Sequence, residues 1–170
     1  MALPGCKLTV LVEPPTAFVK ISGRAAAEHA NDFKQLIARL HREGVARCCL
    51  DLSGCLLMDS TFSGVLAGLA TQLGDHDGCH RFTLVGANAR VLDLLDNLGV
   101  LVLVDVLEGA ALLDGKEVVA EVALAERSKS DTATCCLEAH RLLMRLKPEN
   151  AAKFRPVVEV LEAQMAAVDH

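Results

Sequence analysis

The sequence predicts an α/β fold, a mixed and mainly parallel sheet in the order β-β-α-β-α-β-α-β with helices packed on it, followed by a C-terminal helical extension. Three observations lead there. Short apolar runs of strand length alternate with segments of helical period from Lys7 to about Glu108. The central run, Val45 to Leu52, is mostly apolar and lies between two helical segments, as a strand buried on both faces of a parallel sheet must be. Beyond Glu108 the strand-length runs give way to helical patterns alone.

Taken in order, Lys7–Glu13 (KLTVLVE) and Ala17–Ser22 (AFVKIS) are extended runs at hairpin distance across Pro14 and Pro15, and Gly23 ends the pair. Between Ala25 and Glu43 the period becomes helical, with Phe33, Leu36, Ile37 and Leu40 on one face and Gly44 as the stop. The strand Cys48–Leu52 (CCLDL) follows, and a loop is expected from Ser53 to Met58. A helix then opens at Asp59-Ser60-Thr61, places Phe62, Val65, Leu66, Leu69 and Leu73 on one face, and stops at Gly74. Either Asp59 or Ser60 suits its N-cap. A polar turn leads to the strand Arg81–Gly86, Asn88 caps a helix carrying Val91, Leu94, Leu95 and Leu98 inward, and Val100–Val106 is read as the last strand.

The domain boundary falls at 116, with residues 1–116 forming the α/β domain and 117–170 the extension. In the extension a helix is expected over Glu117–Arg127, a polar link over Ser128–Asp131 and a second helix over Thr134–Leu146. Pro148 and Pro156 each open a further short helix, the latter reaching about Ala167.

Composition narrows the function. With 170 residues, 52% of them hydrophobic, the chain builds a core and an appendage. Five Phe, no Trp, no Tyr and a net charge of −5 leave little for stacking on bases or neutralising phosphates, so nucleic acid is not an expected partner. No apolar run approaches the roughly 18 residues of a membrane span, so no membrane partner is expected either. Seven cysteines occur with no CxxC spacing, which fits small buried hydrophobes in a reducing, cytoplasmic compartment better than a disulfide framework. The chain lacks GxGxxG, Walker, GxSxG and HExxH signatures, and no cofactor is implied. Asp75-His76-Asp77-Gly78-Cys79-His80 has metal-capable side chains, but crowded into one tight turn without a second ligand group, so no metal site is assigned.

The chemistry that stands out is a hydroxyl beside a carboxylate at a helix N-terminus, on the carboxyl side of the central strand, where open parallel sheets gather their sites. A phosphate on Ser60 would meet free N–H groups and a helix dipole worth about 0.3–1 kcal/mol when exposed. It would also add about −1.5 to −2 charges next to Asp59, which repels a docked partner. Gly64, Ala67 and Gly68 are small at i, i+3, i+4 spacing, suited either to close helix-to-sheet packing or to a flat docking surface. A Ser-His-Asp arrangement would require His29, His41 or His140 to approach Ser60 through the fold.

The stretch DLSGCLLMDSTFSGVLAGL, with its Asp-Leu strand end, loop and Asp-Ser pair opening a helix, resembles the signature of the STAS domain as found in bacterial anti-sigma factor antagonists. The resemblance runs from about Lys7 to Glu108 and is strongest over Leu50–Leu69. It implies a non-enzymatic, phosphorylation-controlled protein-binding switch in the regulation of transcription. Ser60 matches the phosphorylated serine, and Asp59 the acidic residue beside it. Thr61-Phe62-Ser63-Gly64 makes the first turn bulkier than the family's small residues, and Thr61 and Ser63 are alternative phosphorylation sites. The expected partner is an anti-sigma factor serine kinase of the histidine-kinase-like ATPase type, docked on Ser53, Met58, Asp59, Ser60, Thr61, Ser63, Gly64 and Ala67. A homodimer through the C-terminal helices is a further expectation. Two other readings stand beside this one: a scaffold or transport-complex subunit that keeps the fold and binds permanently, and an α/β enzyme using Ser60.

Overall fold

In the computed structural model, which describes residues 3–109 and 120–169, the chain opens with a hairpin. Strands β1 (Lys7–Glu13) and β2 (Thr16–Ala25) pair antiparallel from Lys7↔Ser22 to Glu13↔Thr16, leaving Pro14 and Pro15 as the turn. Neither proline has an N–H to give to a ladder, so the turn is where they cost least. Helix α1 (Ala27–Arg42) buries Phe33, Leu36, Ile37 and Leu40, the face its period foretold. Strand β3 (Arg47–Asp51) then adds parallel to β2.

The expected loop 53–58 is in part a strand. β4 (Cys55–Met58) pairs parallel with the far end of β2, past a register shift between Gly23 and Arg24. Helix α2 (Ser60–Leu73), β5 (Phe82–Val85) and α3 (Ala89–Asn97) follow. Val100–Leu103, read as strand, is a 3-10 turn entered through Gly99 at φ 81°, and β6 is only Asp105–Leu107. A short apolar run carries no periodicity that separates the two. Val100 is the one buried residue of that turn, and Val102 is 72% exposed.

The sheet order is β6-β5-β3-β2-β1 and then a short last strand β7 (Ala120–Glu121), with β4 beside β2. All pairs among β2, β3, β5 and β6 are parallel, so the central strand β3 is covered on both edges, and Leu50 within it is fully buried. β7 (Ala120–Glu121) returns antiparallel along β1. The helix expected over Glu117–Arg127 is absent from 120–127, which β7 and an irregular link occupy; residues 117–119 and the boundary at 116 lie outside the described residues. Asp32 of α1, itself buried, fastens this link by accepting from the Ala125 N–H at 3.3 Å and from Arg127 at 3.2 Å.

Two long helices complete the chain. α4 (Lys129–Leu146) begins earlier than expected, capped by Ser128. α5 (Pro148–Val168) is one helix, with Pro156 inside it. Pro156 gives no N–H to Ala152, but both residues lie on the exposed side, where water can serve that carbonyl. α4 packs across α1 and α2, and α5 packs on α4. The layers are therefore sheet, then α1 with α2, then the α4–α5 pair.

Candidate functional site

The site begins with Asp59, which works as the cap of two helices. Its Oδ1 accepts from the Phe62 N–H at 2.8 Å, as an N-cap should, while Oδ2 accepts at 2.8 Å from the N–H of Ala27, the first residue of α1. Ala26, the N-cap of α1, gives that helix no side-chain bond of its own. One carboxylate thus ties α1 to α2, with negative charge at both positive helix ends. Its own N–H donates to the Ala25 carbonyl at the end of β2. At the end of β3 the buried Asp51 accepts from the Ser53 N–H at 2.9 Å and from its Oγ at 2.6 Å, which shapes the turn into β4. Asn88 caps α3 and also donates to the Cys55 carbonyl at 3.0 Å, so β4 is held from the side as well.

Ser60 is the first residue of α2 and is half-buried. Its hydroxyl lies 2.9 Å from Nε2 of His140 on α4. The other ring nitrogen, Nδ1, is 2.7 Å from the Cys136 carbonyl oxygen. A carbonyl only accepts, so Nδ1 carries the proton, and in the neutral ring Nε2 accepts from Ser60. His140 is 4% exposed and rests against the Phe154 ring of α5, centroids 4.9 Å apart. Both Asp59 carboxylate oxygens face backbone N–H groups, and the orienting group on the imidazole is a carbonyl rather than a carboxylate. The three side chains thus form a Ser–His contact without the third member of a triad.

The neighbouring hydroxyls are enclosed. Thr61, 3% exposed, lies with Oγ1 3.1 Å from the Cys136 sulfur; Ser63, fully buried, donates to the Asp59 carbonyl at 2.8 Å. Burial raises the Cys136 thiol above its ordinary range, with the Thr61 hydrogen bond opposing, and burial likewise raises Cys135. In the core, burial pushes Cys6 and Cys48 up to about 12.

Of the residues expected to receive a partner, only Ser53 is exposed; Asp59 and Ser60 are half-buried, and Met58, Thr61, Ser63, Gly64 and Ala67 are buried. The reason is α4. A Cβ on Gly64 would sit 2.7 Å from the Ala139 carbonyl oxygen and 2.8 Å from its Cβ, and Gly68 faces Leu142. Two of the small residues of α2 therefore serve a helix-to-helix contact, neither helix-to-sheet packing nor an open surface. A signal was present in the sequence: α2 has no charged residue and no polar face, which marks a helix covered on more than one side. The seam is incompletely filled, however. A cleft of about 290 Å³ opens between α1, α2 and α4, lined by Lys34, Gly64, Gly68, Leu69, Ala139 and Leu142 among others.

In the polar turn, His80 pairs with Asp75 at 2.9 Å and His76 with Asp77 at 3.3 Å, and among the described residues no three metal-capable side chains converge. No helix among them is long and apolar enough to cross a membrane.

Residues 12–105 match the family described as "Mlab, STAS domain". The chain belongs to the STAS domain family. No curated protein sequence matches. Among solved structures, the STAS fold here is similar to that of the anti-sigma factor antagonist SpoIIAA in its unphosphorylated form, with a TM-score of 0.52 and 15% identity over 62% of this chain and 89% of that one. It is similar also to the NMR structure of the protein TM1081, with a TM-score of 0.51 and 20% identity over 58% of this chain and 78% of the other. The family match ends at residue 105, so α4, and His140 with it, lies beyond the STAS domain proper.

Proposed function

We propose that this STAS protein is an anti-sigma factor antagonist, a non-enzymatic module that binds a serine-kinase anti-sigma factor and is released when Ser60 is phosphorylated. The observation that carries the reading is the difference between neighbouring hydroxyls at one helix N-terminus. Ser60 keeps partial exposure, whereas Thr61 and Ser63 are buried. Thr61 and Ser63 therefore rank behind Ser60 as acceptors of a phosphoryl group. A phosphate on Ser60 would lie at the positive end of α2 and beside Asp59, which is held in place by its two N–H donors. Local cost to the fold is small for that reason. Against a docked partner the same charge acts unfavourably, and like charges juxtaposed in an interface cost several kcal/mol.

The test is incubation with ATP and a serine kinase of the anti-sigma type, followed by mass spectrometry of the digested protein. One phosphate on Ser60, abolished by Ser60→Ala, is the expected result. Stable kinase binding without any incorporation supports a constitutive scaffold instead.

A further inference from the structure

We infer that the outer face of α2 is a seat for an amphipathic partner helix, and that in the state described here the protein's own α4 occupies that seat as a displaceable cover. The inference rests on the reading of the protein as a partner-binding STAS module, and it names what regulates that site.

The occupant defines what the seat accepts. α4 places Cys135, Ala139 and Leu143 inward, with His140 and Cys136 reaching the first turn of α2. Ala139 is required to be small, because its carbonyl and Cβ lie where a side chain on residue 64 would be. A partner helix that replaced α4 would thus carry a small residue opposite Gly64, apolar residues one turn to either side, and a hydrogen-bond acceptor opposite Ser60.

The attachment of α4 is the kind that can be exchanged. Its polar contacts to α2 are side-chain hydrogen bonds, Ser60 to His140 and Thr61 with Cys136, which a partner could reproduce. Its ion pair to α1, Lys34–Glu138 at 3.2 Å, is exposed, and such pairs add at most about 1 kcal/mol. A cleft of about 290 Å³ opens beside the α2–α4 contact, so solvent reaches the edge of that contact while α4 is in place. Upstream, the irregular link is clasped to Asp32 through Ala125 and Arg127, so the cover stays tethered when it lifts.

Modification of Ser60 acts on the same contact. The Ser60 hydroxyl is 2.9 Å from the imidazole, and a transferred phosphoryl group cannot share that volume with the ring. A phosphate on the partly exposed Ser60 therefore breaks the α4 contact at the helix end, as a partner helix would break it at Gly64.

The test uses the full chain joined from Lys34 to Glu138 by a zero-length carbodiimide, their side chains lying 3.2 Å apart, and compared with Lys34→Gln treated in the same way. Binding is measured against a purified anti-sigma serine kinase, with the wild-type chain as reference. Treated Lys34→Gln protein that binds, and crosslinked protein that binds at least tenfold more weakly, is the expected result. Equal binding by both forms overturns the cover and leaves the functional reading intact. Absence of binding by every form, wild type included, overturns that reading and the cover with it. A second measurement needs neither partner nor substitution: backbone hydrogen exchange of the wild-type chain should open the middle of α4 at least tenfold faster than β3. Exchange of α4 and β3 at one common rate, that of global unfolding, overturns the cover.

Discussion

The STAS core and the α4–α5 pair hold together by different means. In the core, neighbouring strands apart from the β1–β2 hairpin come from separated parts of the chain, and Phe33, Phe62 and Phe82 are all fully buried. Phe33 and Phe62 stack with centroids 4.9 Å apart, joining α1 to α2 over the sheet. In α5, by contrast, only Asn150, Phe154 and Val158 are buried along a helix from Pro148 to Val168. A region stabilised by interleaved aromatic and strand contacts unfolds as one piece, and a helical pair packed on one side of it, with α5 largely exposed, has a lower local opening cost. The difference teaches where regulation can act: the hydroxyl proposed for modification sits on the rigid side of the seam, and its hydrogen-bond partner sits on the loose side.

The largest break in that comparison should come from Phe62→Ala. It removes a fully buried ring and its stack on Phe33, at a cost of about 3–5 kcal/mol. Urea unfolding should show the loss in the whole-molecule transition, core and helical pair together. A loss confined to helix content outside the core would mean that Phe62 does not organise the domain.

How much of this was legible in the sequence follows the same division. Strands β1, β2, β3 and β5 and helices α1, α2 and α3 were readable because local period and caps agree with the tertiary arrangement, as at Asn88. β4 was not readable, since four residues between Gly54 and Asp59 become strand only by pairing with β2 beyond a register shift. Ser60 and Asp59 could be picked out by position, but not the second task of Asp59. Its bond to the Ala27 N–H spans 32 residues, and nothing local announces it. His140 could be named only as one of three histidines, with His29 and His41, and the path of α4 decides that it is the one beside Ser60.

Next in size is Asp59→Ala, which leaves the Phe62 and Ala27 N–H groups without their carboxylate. Hydrogen bonds to charged groups contribute about 1.5–3 kcal/mol each when not offset by water, and Asp59 is half-buried, so a net loss of about 2–4 kcal/mol is expected. Hydrogen exchange should report weakened protection at the first turns of both α1 and α2. Weakening at α2 alone would show that the bond across to α1 adds nothing.

The smallest expected effect sharpens the comparison from the other side, at the elbow between α4 and α5. The buried Asn150 side chain donates to the Leu98 carbonyl at the end of α3 and to the Leu143 carbonyl of α4, both at 2.9 Å, and so pins the helical pair to the core. Asn150→Ala removes both donors and leaves two carbonyls to find water or go unpaired, at about 1–3 kcal/mol. Because the pin holds the elbow of the α4–α5 pair, the loss should show first as faster exchange in α4 and faster alkylation of Cys135, with the protection of β3 retained. Equal loss of protection in β3 and α4 would place the helical pair inside the cooperative unit of the core. The seam would then have no independent opening for a kinase or a partner helix to exploit.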